Sequence, residues 1–559
     1  MIDLRPQASR RPPFTRTHPV GPRASTDTLV LATCLWFVAT GNSPFWRALL
    51  DGRSSMSPGT WGLVAAVGVT LVALHFAFIA PLANRWTVRP LLSVLILVAA
   101  FAGYYTDRFS VYLDPSMLRN VLRTNVGEAR ELFAWAMLPQ LLLHAALPLW
   151  ALWWVKPLRR PWLLALPRRV GAWVLVAVLG IAALWSVFQD AAATMRNRPE
   201  MRWLITPGNV AWSMARVLRQ DTAQATRPRE VIGADARRVG VALQPARKPM
   251  RVVLVVGETA RAANWGLNGY ARQTTPQLAA MPDVLAFTQV SSCGTNTEVS
   301  LPCMFSPWGR RHYDEARIRG SQSLLHVLQH AGVQVVWRDN QSGCKGVCEG
   351  LPNETISAAS APGLCQGEHC LDEGLLAGLD SISQGAGHAD QLIVLHQLGN
   401  HGPAYDRRYP DAFRRFTPVC QTSDLRQCSR EQIVNAYDNA LLYTDHVLAR
   451  AIAWLRQAGN THDTALIYLS DHGESLGESG LYLHGVPQAI APAVQTQVPM
   501  VVWLSDGLVR HQDIDVACLR VRAGQAASHD HLFHSMLGLM GVGTSLYERP
   551  MDLFAACRH

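Results

Sequence analysis

The N-terminal third of the chain consists of long apolar runs separated by short polar segments. The five runs cover residues 29–50, 60–83, 90–105, 132–155 and 170–189. A helix of about 20 apolar residues crosses the ~30 Å hydrocarbon layer of a membrane. The third run is shorter, but Trp86 and the pair Tyr104–Tyr105 stand at its ends, where interfacial aromatic residues lie. We therefore predict five transmembrane helices rather than buried helices of a soluble core.

The C-terminal part shows a different pattern, in which short β-branched apolar runs alternate with helix-like stretches. These runs cover residues 252–256, 333–337, 392–395, 465–469 and 498–504. Near-continuous apolar strands are typical of a parallel sheet that is covered on both faces. An Arg-, Pro- and Ala-rich segment joins the two patterns. We therefore predict an N-terminal arm (1–28), a transmembrane domain (29–189) with a polar loop (106–131), a linker (190–250) and an α/β domain (251–559).

The composition supports two unlike parts. Of the 559 residues, 16% are charged, whereas soluble proteins have about 25%. Thirteen of the 18 Trp residues precede residue 213, and ten of the 11 Cys residues follow residue 290. This length and composition exclude disordered, collagen-like and small disulfide-scaffold proteins. The polar and apolar alternation of the second part also excludes a chain that is membrane-embedded throughout.

The positive charges predict which side of the membrane each segment faces. They concentrate in the N-terminal arm, the second loop and the fourth loop, as Arg5, Arg10, Arg11, Arg16, Arg23, Arg85, Arg89, Lys156, Arg159, Arg160, Arg168 and Arg169. Because cytoplasmic loops are enriched in Lys and Arg, five spans place the loop 106–131 and everything after Gln189 outside. The arm leads into a full-length span, so we do not interpret it as a cleaved signal peptide. The net charge of +10 therefore indicates topology and not nucleic-acid binding.

Cysteine spacing independently indicates an oxidising compartment. Four close pairs lie in the segment predicted to be outside, namely Cys293/Cys303, Cys344/Cys348, Cys365/Cys370 and Cys420/Cys428. Disulfides persist in compartments such as the periplasm, and short loops favour pairing between neighbours. Zinc-binding thiols are the alternative, but the spacings do not form a repeated C-x₂-C set. Cys518 and Cys557 either form a fifth bridge or remain thiols.

Polar residues follow four of the predicted strands. Glu258 follows the first, Asp339 the second, His396 the third, and Asp471 with His472 the fourth. Because sites in such sheets form beyond the carboxyl ends of the strands, these side chains are expected to converge. Each alone has an ordinary explanation, such as a helix cap. Together their carboxylate and imidazole groups predict a metal site, which suits Zn²⁺ better than Mn²⁺.

The segment 292–298 predicts a hydroxyl nucleophile. It turns at Gly294 and then enters a predicted helix, so that Thr295 stands at a helix N-terminus, where N–H groups favour phosphate. Metal coordination would lower the pKa of this hydroxyl and make it a nucleophile. The alternative is that Thr295 only caps the helix. A Cys293–Cys303 bridge would brace the turn, which favours the functional interpretation.

Six motifs in order resemble one known family. They are V-V-G-E-T at Glu258, S-C-G-T-N-T-E-V-S-L-P-C-M-F-S, D-N-Q-S-G-C-K-G-V-C, L-H-Q-L-G-N-H-G-P-A-Y, S-D-H-G-E-S-L-G-E and L-Y-L-H-G. With them the chain resembles the lipid A phosphoethanolamine transferases, multi-pass enzymes of the bacterial inner membrane that include the mobile colistin-resistance proteins. The resemblance covers nearly the whole chain. It implies five membrane helices and a periplasmic α/β catalytic domain of the alkaline phosphatase/sulfatase superfamily.

The resemblance also implies a set of site residues. The zinc ligands would be Glu258, Thr295, Asp471 and His472, and Thr295 would carry a phosphothreonine intermediate. Positions around the phosphate, where a second zinc is sometimes proposed beside the tightly bound one, are matched by Lys345, His396, His401 and His484.

A further family motif, thought to receive the ethanolamine head group, is matched by Asn120, Thr124 and Glu128. Their spacing of four predicts that all three lie on one face of a helix. Glu128 would then pair with the ammonium group. Without the resemblance, this triad would be interpreted as an ordinary polar helix face.

The function implied is transfer of phosphoethanolamine from phosphatidylethanolamine to a phosphate of lipid A. The expected partners are these two lipids and other membrane lipids, with no nucleic acid, and the protein is expected to be a monomer. A close alternative is a phosphoethanolamine or phosphoglycerol transferase that modifies a core sugar of lipopolysaccharide or another envelope glycan. A sulfatase is disfavoured because the C/S-x-P-x-R setting is absent around Thr295. A membrane-anchored sensor with a degenerate site is disfavoured by the intact ligand residues.

Overall fold

The computed structural model describes residues 21–124, 126–158, 161–225, 228–243, 247–366, 369–385 and 389–558. Its chain divides into two compact units. The membrane unit comprises the described residues of Met1–Phe101 and Pro139–Asn197, and the α/β unit those of Ala102–Leu138 and Arg198–His559. The polar loop 106–131 therefore folds with the α/β unit. Of the basic residues used to predict topology, Arg5, Arg10, Arg11, Arg16, Arg159 and Arg160 lie outside the described residues.

Apolar helices build the membrane part. In chain order they are Thr26–Thr40, Ser43–Leu50, Pro58–Ile79, Val88–Phe109, Met137–Leu141, Leu147–Trp154, Trp162–Ser186 and Phe188–Asn197. Three stretches are long and apolar enough to cross a membrane, at Pro58–Leu82, Val88–Phe109 and Leu163–Ser186. The pair Thr26–Thr40 and Ser43–Leu50 counts as a fourth if its 55° bend lies within one span. The described residues thus show three or four candidate spans where five were predicted.

The fourth predicted span, residues 132–155, is not one regular helix. Its helical structure begins at Met137 and runs as Met137–Leu141, a π-helical turn at Leu142–Ala146, and Leu147–Trp154. Pro148 has no N–H to donate, and its ring clashes with the carbonyl group four residues earlier, so regular α-helical geometry is broken before it. A π-helical turn relieves this clash. The apolar pattern predicts the composition of this segment but not its interrupted geometry.

The helices of the membrane unit expose large apolar side chains. Phe78, Ile181 and Trp185 have exposed fractions of 72%, 66% and 81%, and only 6% of the most apolar stretch of Leu163–Ser186 is buried. Such a continuous apolar surface is unfavourable in water and marks a membrane or partner surface. Its length and composition are those of helices that contact lipid.

An eight-stranded mixed sheet forms the centre of the α/β unit. Its strands are β1 (Met250–Gly257), β2 (Val284–Ser291), β3 (Gln334–Asp339), β4 (Asn353–Thr355), β5 (Gln391–His396), β6 (Asp463–Ser470), β7 (Gln497–Leu504) and β8 (Ala526–Ser528). They lie side by side in the order β8-β2-β7-β6-β1-β5-β3-β4. Strands β6, β1, β5, β3 and β4 run parallel to one another. Strand β7 runs antiparallel to both β6 and β2.

The prediction of an all-parallel sheet is therefore wrong at the β7 end. The five predicted runs correspond to β1, β3, β5, β6 and β7, but an apolar run carries no information about the direction of its strand. Strands β2, β4 and β8 were not predicted. Five of the eight positions in β2 are not buried, and β4 and β8 have three residues each, so none of them shows a near-continuous apolar run.

Every residue of β1, β5 and β6 is buried, so both faces of the central sheet are covered by helices. The longest helix, Arg430–Gln457, begins at Ser429, whose hydroxyl accepts the backbone N–H of Gln432 while the Gln432 side chain returns to the Ser429 N–H. This reciprocal cap satisfies two N–H groups of the first turn. The other helices of this unit are Pro115–Arg123, Val126–Glu131, Gly208–Ala225, Pro276–Ala279, Thr297–Met304, Glu315–Gly320, Leu324–His330, Leu379–Gly385, Ala493–Thr496, Asp506–His511, Val516–Ala523 and Asp530–Leu539.

The α/β unit contains five disulfides. They join Cys293 to Cys303, Cys344 to Cys348, Cys365 to Cys370, Cys420 to Cys428, and Cys518 to Cys557. The first four pairs are those expected between sequence neighbours, and the fifth joins the two cysteines left open by the sequence. The remaining thiol, Cys34, is buried in the membrane unit.

Candidate metal centre

The carboxyl ends of four parallel strands bring the predicted polar residues together. Glu258 directly follows β1, and Asp471 and His472 directly follow β6, while His396 and Asp339 end β5 and β3. These strands are neighbours and run in one direction, so their ends share one edge of the sheet. All five side chains are buried there.

A cluster of three potential ligands lies at this edge. The His472 Nε2 atom is 3.4 Å from Glu258 Oε1 and 3.4 Å from Asp471 Oδ2. Asp471 Oδ1 accepts hydrogen bonds from the backbone N–H groups of Thr259 and His472, whereas Asp471 Oδ2 has no hydrogen-bond partner among the described residues. A buried carboxylate oxygen without a donor is unfavourable unless a cation binds it. Two carboxylates and one imidazole form a donor set that fits Zn²⁺ with an open position.

The charges in this cluster are strongly coupled. Burial opposes ionisation of Glu258, but the hydrogen bond and charge of His472 hold the pKa of Glu258 well below its usual range. Burial and the negative charge of Glu258 raise the pKa of Asp471 to about 6. Burial works against the charged form of His472, yet Asp471 and Glu258 raise the pKa of His472 to about 10. One imidazole cannot neutralise two buried carboxylates, and a divalent cation would complete the balance.

Thr297 supplies the hydroxyl group at this cluster. Its Oγ1 atom donates a hydrogen bond to Glu258 Oε2 at 3.1 Å and lies 3.4 Å from His472 Nε2. Thr297 is the first residue of the helix Thr297–Met304, which Asn296 caps by accepting the backbone N–H of Val299. Unpaired N–H groups and the positive end of the helix dipole at this position favour a phosphate group.

The structure places Thr297, and not the Thr295 selected from the sequence, in contact with Glu258. The Oγ1 atom of Thr295 donates a hydrogen bond to the carbonyl oxygen of Val486 at 2.7 Å. Thr295 precedes the cap Asn296, so the helix begins two residues after the position predicted for its N-terminus. The place beside Glu258 that was predicted for Thr295 is held by Thr297.

Two of the predicted histidines lie next to the ligand cluster. The ring of His484 is 4.4 Å from that of His472 and 5.6 Å from that of His401, measured between centroids. Its Nδ1 atom donates to Glu474 Oε2 at 2.8 Å. His472, Glu474 and His484 form a second group whose ligand atoms lie within 4.8 Å of one another. Burial lowers the pKa of His401 to about 3, which favours the neutral ring.

His396, the third of these histidines, is held by Asp339 at the end of the neighbouring strand β3. Its Nδ1 atom lies 2.6 Å from Asp339 Oδ1, and its Nε2 atom has no hydrogen-bond partner among the described residues. Burial opposes the charged ring, but the charge and hydrogen bond of Asp339 raise the pKa of His396. His396 is thus oriented through Nδ1 and leaves Nε2 for another group.

A buried charge network adjoins Thr297. Glu298, the residue after Thr297, is fully buried. Its Oε2 atom accepts hydrogen bonds from Arg123 at 3.1 Å and Arg319 at 3.0 Å. The other oxygen of Glu298 lies 3.7 Å from Nζ of the predicted residue Lys345. Lys345 is held in turn by the hydroxyl and carbonyl oxygens of Ser342.

The predicted head-group triad is divided between two helices. Asn120 lies in Pro115–Arg123, Thr124 follows that helix, and Glu128 lies in Val126–Glu131. The extended backbone of Thr124 ends the first helix, so the prediction of one helical face is wrong. Thr124 Oγ1 still donates to the carbonyl oxygen of Asn120 at 2.9 Å.

Glu128 is the buried member of the triad. It lines a small cavity that Asn340, Gln341 and His369 also line. Burial raises the pKa of Glu128 to about 7, against the opposing charge of Lys345. This carboxyl group therefore changes its charge close to neutral pH.

Known proteins match this architecture over most of the chain. The family described as "Phosphoethanolamine transferase EptA/EptB" matches residues 71–222, and the family described as "Sulfatase" matches residues 251–542. The phosphoethanolamine transferase EptA of Escherichia coli (strain K12) is 40% identical over 478 residues, which cover 85% of this chain and 86% of that protein. The chain belongs to the phosphoethanolamine transferase family. The resemblance identified from the six sequence motifs is thereby confirmed.

Two further comparisons extend over both parts of this phosphoethanolamine transferase. The phosphatidylethanolamine transferase Mcr-1 of Escherichia coli is 36% identical over 484 residues, which cover 85% of this chain and 89% of that protein. The solved integral membrane protein lipooligosaccharide phosphoethanolamine transferase A from Neisseria meningitidis superposes with a TM-score of 0.91 at 35% identity. The superposition covers 96% of this chain and 100% of that chain. The transferase therefore combines a helical membrane region with an alkaline-phosphatase-like domain.

Three site residues of the transferase were missed by reasoning from the sequence. They are Thr297, Glu474 and Gln341, whose Nε2 atom donates to Glu258 Oε2 at 2.8 Å. All three lie inside the motifs that carry the family resemblance. Those motifs were the available signal, but they do not say which of several polar residues points into the site.

Proposed function

We propose that this transferase moves phosphoethanolamine from phosphatidylethanolamine to a phosphate of lipid A through a phosphothreonine at Thr297. The observation that carries the proposal is the hydrogen bond from Thr297 to Glu258 within the ligand cluster. The relatives support the two lipids, since one is a phosphatidylethanolamine transferase and another is a lipooligosaccharide phosphoethanolamine transferase.

We assign one tightly bound zinc to Glu258, Asp471 and His472. When bound, it would lower the pKa of the Thr297 hydroxyl and offset negative charge on the phosphoryl group. Asp471 Oδ2, for which the described part of the chain offers no hydrogen-bond donor, and the excess of carboxylate charge support this assignment. Glu474 and His484 offer donors for a second ion beside the first.

In the first half-reaction, Thr297 Oγ1 forms a bond to the phosphorus of the donor while the bond from phosphorus to the diacylglycerol oxygen breaks. The hydroxyl proton leaves along the existing hydrogen bond to Glu258 Oε2. The departing oxygen takes a proton from His396 or His484, since the lowered pKa of His401 keeps that third ring neutral. A raised pKa and an Nε2 atom without a partner among the described residues favour His396 as this acid.

In the second half-reaction, an oxygen of the acceptor phosphate attacks the same phosphorus. The bond from phosphorus to Thr297 Oγ1 breaks, and the Thr297 oxygen regains the proton that Glu258 took. The histidine that protonated diacylglycerol regains its proton from the attacking phosphate hydroxyl or from water. The products are phosphoethanolamine-modified lipid A and the free enzyme. Lys345 and the N–H groups at the start of helix Thr297–Met304 stabilise negative charge on the transferred group, which is the main requirement of this chemistry.

We further propose that the chain crosses the bacterial inner membrane five times, with the α/β unit in the periplasm and the domain boundaries predicted from the sequence. The candidate spans and the interrupted apolar helices at 137–154 support this count. The five disulfides support an oxidising compartment. The ligand cluster is complete within one chain, which supports a monomer.

Mass spectrometry of lipid A tests the proposed function. Cells that express the wild type should contain lipid A with an added phosphoethanolamine group, and cells that express Thr297→Ala should not. Unmodified lipid A together with a modified core sugar or another modified envelope glycan would instead support the alternative acceptor. Lipid A that is modified equally by both proteins would refute the role of Thr297.

A further inference from the structure

An arginine-lined cavity lies within the α/β unit. It has a volume of about 920 Å³, and its lining includes Arg123, Arg219, Arg229 and Arg319. These arginines come from helix Pro115–Arg123, helix Gly208–Ala225, the segment after it and helix Glu315–Gly320. Volumes of this size are typical of sites for small molecules or lipid head groups. We call it the arginine cavity.

Two arginines of the arginine cavity contact the residue that follows Thr297. Arg123 and Arg319 both donate to Glu298 Oε2, and Glu298 directly follows Thr297 in the first turn of its helix. Lys345 approaches the other oxygen of Glu298. These contacts place one wall of the cavity beside the residue that follows the proposed nucleophile Thr297.

The cavity lining carries more positive than negative charge. Its four arginines share the lining with Asp221, Glu230 and Glu349, and Arg123 pairs with Asp221 at 3.1 Å. Among the described residues, Arg219 has no ion-pair partner. The partner of Arg229 is Glu349 at 2.7 Å, and that carboxylate has an exposed side-chain fraction of 68%.

A partly exposed ion pair such as Arg229–Glu349 contributes little to stability, so a bound anion can take the place of its carboxylate. Arginine binds phosphate through two parallel N–H groups, and the resulting charge-assisted hydrogen bonds are stronger than neutral ones. The donor head group carries an ammonium ion, which four arginines would repel. A phosphate monoester carries up to two negative charges and no cation, so its charge matches the lining.

We propose that the arginine cavity binds the phosphate monoester of the acceptor lipid and holds it for attack on the phosphothreonine. This inference rests on the proposed function. The phosphodiester of the donor lipid is the other lipid phosphate that could occupy the cavity. The first half-reaction uses only the donor and the second uses the acceptor, so measuring them separately shows which lipid the cavity binds.

The test uses the full-length enzyme in mixed micelles with Arg219→Ala, Arg229→Ala and the double variant. Arg216→Ala is the matched control, because Arg216 is exposed on the same helix and is not part of the cavity lining. Diacylglycerol release with donor alone measures the first half-reaction. The apparent KM for lipid A, with saturating donor, measures the second.

We expect each cavity variant to raise the KM for lipid A by about tenfold, which is typical of losing one charge-assisted contact. Diacylglycerol release should stay within about twofold of the wild type, as should both measurements in Arg216→Ala. An unchanged KM for lipid A, or an equal loss in both half-reactions, would overturn the proposal.

Inorganic phosphate provides a second measurement that does not depend on the folding of one variant. It should inhibit competitively against lipid A but not against the donor, and the double variant should need about tenfold more phosphate for the same inhibition. Inhibition that is identical in the wild type and the double variant would also overturn the proposal. A wild type that releases diacylglycerol but never modifies lipid A would refute the proposed acceptor itself, which is a different failure from an unchanged KM.

Discussion

The Nδ1 atom of His529 accepts a hydrogen bond from the backbone N–H of Cys293 at 3.1 Å. Its Nε2 atom donates to the carbonyl oxygen of Ser470 at 2.9 Å, so both ring nitrogens have backbone partners and the ring is neutral. Burial lowers the pKa of His529 to about 4. One imidazole thus joins the loop before Thr297 to the end of β6 before Asp471.

The buried neutral ring of His529 predicts that the free energy of unfolding depends on pH. In the unfolded chain His529 titrates near its ordinary pKa of about 6.5, so the unfolded state binds a proton below that pH while the folded state does not. The stability that the neutral ring contributes is present above about pH 6.5 and is lost as the pH falls toward 4, by roughly 3 kcal/mol in total. We expect the melting temperature of the full-length enzyme in detergent to decrease between pH 7 and pH 5.

The variant His529→Gln should show a smaller decrease over the same interval, because glutamine does not titrate. The exposed residue His312 offers the matched control His312→Gln, which should retain the wild-type dependence. An equal decrease in the wild type and His529→Gln would show that other groups cause the effect.

The two threonines make separate predictions for covalent catalysis. With labelled phosphatidylethanolamine, Thr297→Ala should lose protein labelling by a factor of about 10³ or more, because the nucleophilic oxygen is removed. Thr295→Ala removes only a hydrogen bond to Val486 and should retain labelling with a rate reduced by up to about tenfold. Gel autoradiography of the full-length proteins measures both. Retained labelling of Thr297→Ala together with loss in Thr295→Ala would restore the assignment made from the sequence.

The ligand cluster predicts that removing one of its carboxylates lowers the zinc content of the protein. Asp471→Asn removes one of two carboxylates and should weaken zinc binding by at least about tenfold. Elemental analysis of the purified full-length enzyme after dialysis against a chelator measures this loss. Asp411→Asn is the control, since the Asp411 side chain has an exposed fraction of 86%. Equal zinc content in both variants would place the metal elsewhere.

Glu128 predicts a pH dependence of donor binding. Burial raises the pKa of this carboxyl group to about 7, and the charged groups around it are Lys345, Glu258, Arg408 and Glu131. Below pH 7 the group is mostly protonated and neutral, so it cannot attract the ammonium of the donor. The KM for phosphatidylethanolamine should therefore fall by up to about tenfold as the pH rises from 6 to 8.

In Glu128→Gln this KM should be higher and nearly independent of pH. The exposed residue Glu431 provides the control Glu431→Gln, which should follow the wild type. A pH profile of KM that is the same for Glu128→Gln and the wild type would argue against contact between Glu128 and the head group.

Much of the site was predictable because it depends on where strands end. Glu258, Asp471 and His472 directly follow apolar runs, and the carboxyl ends of neighbouring parallel strands meet at one edge. Pairing between neighbouring cysteines was predictable for a similar reason, since short loops keep the two sulfur atoms close. The direction of β7 and the break before Pro148 were not predictable from apolar runs, because hydrophobicity specifies burial and not direction or regularity.

The sequence by itself determined a membrane part, an α/β part, the family and the strand ends that carry the candidate ligands, because local patterns encode burial and spacing. Only the tertiary structure shows that Thr297, and not Thr295, contacts Glu258. The start of the helix depends on the Asn296 cap and on Ser300, whose hydroxyl donates to the carbonyl oxygen of Asp471 from a distant part of the chain. The tertiary structure likewise brings Arg123, from the loop 106–131, onto Glu298 beside the proposed nucleophile Thr297. Contacts between residues so far apart in the chain depend on packing and leave no local signal.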